Sequence, residues 1–407
     1  MELTRRKFLT RSALIGCSVA TSPVLTPVTF ASAPFDHRLV VIILRGAMDG
    51  MDVVQPYGDR ELAGLRPMLP FGEVAGSYDL GGFYAMHQEL APLQPLWKAG
   101  ELAFAHAVST PYRDQRSHFD GQDLLEAGTE VLEVGATRDG WLNRMLQEVP
   151  GIGAETAYAV GHDTLNVLSG AAPVANWAPD VGLELSPQAR RLMERVMHDD
   201  TLFREALAEA AVLSRLVVPE SDEVGEDGMM ASAMMVPKKT AAAAGTAAIA
   251  AFAAERSRGA SRIAAFSING WDTHAAQSRA ILPALGELSN AALTLKEGFG
   301  REWEKTAVVA VTEFGRTARG NGTGGTDHGT GGAMLFAGGA IKGGQVLADW
   351  PGLGASELYQ GRDLMPTRDV RAHLAWVMRG LFGFDQGLLE RAVFPGLDME
   401  KNPGLML

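Results

Sequence analysis

The sequence predicts an α/β protein: a doubly wound, mainly parallel sheet with helices on both faces and an inserted helical region. Three observations predict it. Apolar runs of about four to eight residues, rich in Val, Ile, Ala and Phe, recur along the chain with longer helix-patterned stretches between them. The runs are apolar throughout, as expected where both faces of a parallel sheet are covered. The composition, 46% hydrophobic and 21% charged over 407 residues, supplies a large core and excludes a disordered tail, a disulfide scaffold and a collagen-like fibre. One large α/β domain with insertions absorbs that length.

In chain order, strands are expected at 39–44, 102–108, 263–268, 307–312 and 333–337. Helices are expected between and after them, at 89–98, 117–127, 142–148, 187–213, 240–256, 275–297 and 368–381. The alternation of strand and helix sets the class. The stretch 219–239 breaks the pattern: it is polar and acidic at first and then carries Met229, Met230, Met234 and Met235. It reads as an exposed loop or the root of an inserted helical region or lid covering about residues 170–258, with the methionines as packing material, mobile lid or soft binding surface. The glycine-rich stretch 338–344 reads as a turn between two short strands, because it lacks the strand-turn-helix order of a dinucleotide site.

The first 33 residues read as an address, leaving 34–407 as the folded domain. Arg5-Arg6-Lys7-Phe8-Leu9 precedes an apolar stretch from Ser12 to Phe30 and the small-x-small signal Ala31-Ser32-Ala33, the pattern of a twin-arginine export signal. The expected partner is the twin-arginine export machinery, and the expected location is periplasmic or secreted. A membrane anchor is opposed by Pro23 and Pro27, which interrupt a stretch too short to span comfortably. Lipidation at Cys17 is opposed by the five residues between Arg11 and Cys17, fewer than the roughly 7–15 of an apolar h-region. Cleavage after Ala33 removes the one cysteine and takes the net charge from −12 to −15, since four basic residues and one acidic residue are lost. Such an acidic chain lacks the Lys/Arg surplus from which nucleic-acid binding starts. The Ala-rich run at 240–254 is too short for a span, so no transmembrane anchor is expected.

Ligands of open α/β sheets bind beyond the carboxyl ends of the strands, and the unusual polar clusters fall there. Arg45-Gly46-Ala47-Met48-Asp49-Gly50-Met51-Asp52 follows the first strand; Arg113, Asp114, Arg116, Ser117 and His118 follow the second; Asp272 and His274 follow 263–268; Glu313, Arg316, Asp327 and His328 follow 307–312. Each has a plainer reading. Asp49-Gly50 is a common turn pair, Ser117 and Asp272 suit helix N-caps, and Glu313 suits a salt bridge with Arg316. Their convergence on strand ends favours a site. Carboxylates and imidazoles together suit a divalent cation, and imidazoles tilt the choice toward zinc, manganese or iron over calcium. Ligands on separate loops fit a catalytic centre better than a structural knot.

The segments Leu44-Arg45-Gly46-Ala47-Met48-Asp49-Gly50, Arg116-Ser117-His118-Phe119, Gly140-Trp141-Leu142-Asn143-Arg144, Gly270-Trp271-Asp272-Thr273-His274, Thr312-Glu313-Phe314-Gly315-Arg316-Thr317 and Gly325-Thr326-Asp327-His328-Gly329 resemble the DUF1501 family in order and spacing. That family is similar to the alkaline phosphatase and sulfatase superfamily and often carries twin-arginine signals. The resemblance runs from about Arg38 to the C-terminus. It implies one or two divalent metals at the strand ends and a hydroxyl nucleophile at a helix start. Asp49 matches the first-strand metal aspartate and Ser117 the nucleophile. Asp272, His274 and His328 match later ligands, and Glu313 stands where an aspartate is usual. The sequence departs from the superfamily at Phe314, where a histidine is usual, and in the close spacing of Asp272 and His274. Both departures bear on the second metal.

The function this implies is an exported metal-dependent hydrolase acting on phosphate or sulfate esters, with an anionic small molecule or glycan ester as substrate. A metal on Asp49 and Glu313 would activate Ser117, and a metal on Asp272, His274 and His328 would stabilise the leaving oxygen, with zinc, manganese or calcium as the ion. Arg116, Arg45 and Arg316 are expected to hold the ester's oxygens. Asp327 ligates metal or orients an imidazole, and His118 is a candidate acid or base. The alternative is an exported binding or assembly protein that keeps the fold without turnover. Metal-dependent oxidoreduction lacks a compact motif of two histidines and one carboxylate.

Overall fold

The first strand, β1 (Arg38–Leu44), is buried at every position. Its side chains alternate between two cores: Val40, Ile42 and Leu44 enter one, and Leu39, Val41 and Ile43 the other. A strand covered on both sides needs no polar face, which is why it reads as an unbroken apolar run. The computed structural model describes residues 35–131, 139–161, 163–177 and 238–407, within one unit, Ser32–Leu407. The export signal with Cys17, the helix expected at 187–213 and the methionine group lie outside the described residues.

The remaining strands of the central sheet are β2 (Leu102–Ser109), β3 (Ala157–Val160), β4 (Ala175–Trp177), β5 (Ile263–Ile268), β6 (Thr306–Thr312), β7 (Gly332–Ala337), β8 (Gln345–Leu347) and β9 (Arg368–Asp369). They lie in the order β8-β2-β7-β6-β1-β5-β3-β4, with β9 also paired to β2. Every pairing is parallel except those of β7, which runs antiparallel to β2 and β6. The fold is thus an α/β sheet of largely parallel strands. Its topology has a direct consequence for the site. The carboxyl ends of β1, β2, β5 and β6 share one rim, and β7 starts on that rim, with Gly332 opposite Val108. Residues 313–331 therefore leave and return to the same edge.

Five principal helices cover the sheet: α1 (His118–Ala127), α2 (Trp141–Gln147), α3 (Lys238–Arg258), α4 (Leu282–Phe299) and α5 (Val370–Phe382). Helices α3 and α4 pack on one face with Leu90, Leu93 and Leu96, while α2 and α5 pack on the other. The helix expected at 89–98 is broken into a 3-10 segment, Gln88–Leu93, and one α-helical turn, Gln94–Lys98. Pro92 and Pro95 remove the N–H groups a continuous helix would use. The helix expected at 275–297 also divides, into Gln277–Ala280 and α4, with Pro283 in the first turn of α4. Of the region 170–258, the described parts are β4 in the sheet and α3 on its face. A side sheet of two-residue strands, Val54–Gln55, Tyr78–Asp79 and Ala85–Met86, has no signature in the sequence.

Two glycines let the rim loops close on one another. After β1, Gly46 has φ +119°, and a Cβ there would stand 2.7 Å from the backbone N of Asp272. A Cβ on Gly315 would stand 1.9 Å from the carbonyl oxygen of Gly331, where residues 313–331 bond back across their own base. Among the described residues no helix is long and apolar enough to cross a membrane.

Candidate metal centre

Four side chains from three rim segments meet at one point. His118 is the first residue of α1, placed by its neighbour Ser117, whose Oγ accepts the N–H of Asp120 as an N-cap. Asp272 and His274 lie on the loop after β5, and His328 lies on the segment that returns to β7. The Oδ1 of Asp272 is 3.0 Å from His274 Nε2, 3.2 Å from His328 Nε2 and 3.5 Å from His118 Nε2. His274 Nε2 and His328 Nε2 stand 2.9 Å apart.

The outer nitrogens fix the chemistry of the inner ones. His118 Nδ1 is 2.8 Å from Glu313 Oε1, His274 Nδ1 is 3.2 Å from Asp327 Oδ1, and His328 Nδ1 is 3.0 Å from the carbonyl oxygen of Arg116. Glu313 and Asp327 are both held below the usual carboxylate range, Glu313 by bonds from His118, Thr312 and the backbone against the cost of burial, Asp327 by Asn321 and His274. All three partners are therefore acceptors, so each Nδ1 donates, and a neutral ring then bears its lone pair on Nε2. Three lone pairs thus face one carboxylate oxygen, and the Nε2 of His118 is buried without a hydrogen-bond partner. Like charge density converging in this way calls for a cation. Burial lowers the pKa of His328 and so favours its neutral form, whereas the Glu313 hydrogen bond raises that of His118.

Two imidazole nitrogens with one carboxylate oxygen, and a third imidazole beside them, suit zinc or another first-row transition ion and not the all-oxygen shells of calcium or magnesium. Each ring also has the outer hydrogen bond that orients metal-bound histidines. The ligand atoms of His118, Asp272 and His328 all lie within 4.8 Å of one another, so these three residues fit a single divalent ion, and His274 borders them through Asp272 and His328. Among the described residues no second group of three His, Cys, Asp or Glu side chains gathers in this way. Phe314 fills the neighbouring space, stacked on His118 at 5.3 Å between centroids and on Tyr112 at 5.7 Å.

Several residues expected in the site have other work. Asp49 is engaged elsewhere: its buried carboxylate is 2.6 Å from Arg66, accepts from Gln277 at 2.7 Å and caps Met51 N–H at 3.2 Å. Glu313 holds His118 and accepts the N–H groups of Gly46 and Ala47, both at 3.0 Å, and the hydroxyl of Thr312 at 2.8 Å. It positions a ligand from completely buried surroundings. Asp327 plays the same part for His274. Arg316 is not free to take substrate, because its buried guanidinium donates to Asp272 at 2.6 Å and to the carbonyls of Gly46, Ala47, Trp271 and Thr326. Arg45 is paired to Glu126 at 2.9 Å and donates to Gln122 and Thr164. Arg116 contributes its carbonyl to His328 from a left-handed backbone, φ +55°. Among the described residues no hydrogen bond joins the Ser117 hydroxyl to the four converging side chains.

Asp49 and Asp52 form a buried pair whose shared partner, Gln277, the sequence did not reveal. Gln277 donates to both Asp49 and Asp52, at 2.7 and 2.8 Å. Burial, with Asp49 beside it, pushes the Asp52 carboxyl up to about 6. A raised folded-state pKa means that ionised Asp52 weakens the fold above that value, and that protonation relieves the cost as pH falls through it. Asp52→Asn is therefore expected to melt higher than the wild type at pH 8, with the gap closing below about pH 6 in thermal scans; a pH-independent gap would contradict this. Removing the orienting charge on His118 is a separate matter. Glu313→Gln is expected to weaken zinc binding about 10- to 100-fold in chelator competition while the circular dichroism spectrum is kept, and unchanged affinity would refute the positioning role.

No curated protein matches the chain in sequence. Among solved structures, the lipoteichoic acid synthase LtaP from Listeria monocytogenes is 9% identical, with 97% of this chain and 82% of that chain covered and a TM-score of 0.40. A protein in the alkaline phosphatase superfamily from Vibrio parahaemolyticus is 12% identical, with 98% and 80% covered and a TM-score of 0.37. The protein Ps i-CgsB in complex with k-i-k-neocarrahexaose is 12% identical, with 77% and 68% covered and a TM-score of 0.35. Residues 103–393 match the family described as "Protein of unknown function (DUF1501)", and the chain belongs to that family.

Proposed function

We propose that this protein is a metal-dependent hydrolase of phosphate or sulfate esters, with one divalent ion held by His118, His328 and Asp272 and with His274 beside it. The observation that carries this reading is the meeting of three Nε2 atoms with Asp272 Oδ1 while every Nδ1 is engaged by an acceptor. Bound there, such an ion polarises a phosphoryl or sulfuryl oxygen and eases deprotonation of a hydroxyl group. The chain's own groups supply the rest. Glu313, Asp327 and the Arg116 carbonyl hold the rings in register, and Arg316 offsets the charge of Asp272. The N-terminus of α1 offers backbone N–H groups that favour an anionic group beside His118.

Ser117 is the proposed nucleophile, since it precedes His118 at that helix start. Its oxygen would bond to phosphorus or sulfur, its proton would pass to solvent, and the alcohol would depart with the electrons of the broken ester bond. Water would then cleave the serine ester and restore the hydroxyl. The substrate class is an anionic small molecule or glycan ester. Export by the twin-arginine route to a periplasmic or secreted location belongs to the same proposal, supported by Arg5-Arg6-Lys7-Phe8-Leu9 and Ala31-Ser32-Ala33. One observation favours the non-catalytic binding or assembly role instead: the Ser117 hydroxyl is already used as a helix cap.

Metal-replete protein assayed against a panel of aryl phosphates and sulfates separates these readings. The wild type is expected to turn over at least one ester, His328→Ala to lose metal and turnover together, and Ser117→Ala to lose turnover while keeping its metal. Full turnover by Ser117→Ala would remove the serine from the mechanism. Bound metal without turnover in the wild type would favour the binding role.

A further inference from the structure

A cavity of about 440 Å³ lies behind the outer supports of the candidate centre, within the roughly 300–1,000 Å³ range of small-molecule sites. The converging side chains do not line it, but two residues that hold them do. Asp327, whose carboxylate holds His274, lines the cavity, as does Arg362, which donates to the backbone carbonyl of His328 at 3.0 Å and to Asp363 at 2.7 Å. On the apolar side stand Leu65, Leu353 and Leu358, members of one buried cluster. The segment that carries Leu358 and Arg362 is tied to the loop before α1. Tyr359 Oη and Gln360 Nε2 donate to the Asp114 carboxylate at 3.3 and 3.0 Å. The cavity is thus built from the same rim that presents His118 and His328.

Its charge is unevenly committed. The Asp327 carboxylate is engaged by Asn321 and His274. Glu61 lines the cavity without forming an ion pair with either arginine there. Arg319 is exposed in the lining, and its guanidinium has no hydrogen bond or ion pair among the described residues. An uncommitted guanidinium opposite leucines describes a ligand with an apolar body and an anionic end, since the guanidinium fork matches a carboxylate or an ester oxyanion.

We propose that this cavity receives the non-reacting part of the substrate, an apolar body bearing a second anionic group held by Arg319. The proposal rests on the hydrolase reading for the word substrate, and its test does not require turnover. The probes are phenylphosphonate and 4-carboxyphenylphosphonate, whose carbon–phosphorus bonds resist hydrolysis, titrated calorimetrically into zinc-loaded full-length protein. The carboxylate is expected to tighten binding about fivefold in the wild type. In Arg319→Gln that ratio should fall to about one, with zinc content unchanged. Leu358→Phe, which fills the apolar side, should weaken both arylphosphonates and leave inorganic phosphate binding as it was. A carboxylate advantage that survives in Arg319→Gln, or arylphosphonate binding indifferent to Leu358→Phe, would overturn the assignment. The expected binding pattern in a protein that hydrolyses no ester would uphold the cavity assignment and count against the hydrolysis.

Discussion

Three histidines keep their protons on the outward nitrogen, and the site follows from that constraint. Glu313, Asp327 and the Arg116 carbonyl cannot donate, so the rings of His118, His274 and His328 must. Their remaining lone pairs then crowd the Oδ1 of Asp272. Without positive charge between them this cluster is self-repelling, and Arg316 at 2.6 Å supplies compensation to Asp272 alone. A divalent ion would satisfy the donors of His118, His328 and Asp272 at once, which no hydrogen bond between bare imidazole nitrogens can do.

The sheet makes the convergence affordable. Strands β1, β5 and β6 lie side by side and end on one rim, so the loops after them are neighbours before any side chain is considered. The reversal of β7 brings residues 313–331 back over the same edge, which places Arg316 and His328 within one segment. Buried polar bonds then fix that segment: Arg316 spans the loops after β1 and β5, and Glu313 gathers the N–H groups of Gly46 and Ala47. Cost is met locally, because each buried charge has several partners. The centre is therefore built on rigid strand ends, with only short loops between them and the ligands.

What the sequence revealed, and what it hid, divide along physical lines. Strands buried on both faces declare themselves as apolar runs, so β1, β2, β5, β6 and β7 were legible. The short β3, β4, β8 and β9 carry too few residues for a pattern. Helix lengths failed where proline interrupted an otherwise apolar spacing, at Pro92 and Pro283. At the rim, residue type pointed to Asp272, His274 and His328 as one polar cluster, and the fold brings the three together. Type could not say which carboxylate touches an ion and which touches an imidazole. Asp49 and Glu313 resemble ligands in sequence, yet Arg66 neutralises the first and His118 occupies the second. His118 itself read as an acid or base beside a serine, since nothing in a helix's first residue tells where its ring will point.

The most direct measurement is anomalous diffraction at the zinc edge from crystals of zinc-loaded protein. The account predicts one strong peak bounded by the Nε2 atoms of His118 and His328 and the Oδ1 of Asp272, at about 2.0–2.2 Å from each. A peak at Asp49 or Glu313, or no peak within reach of these two rings, would contradict it.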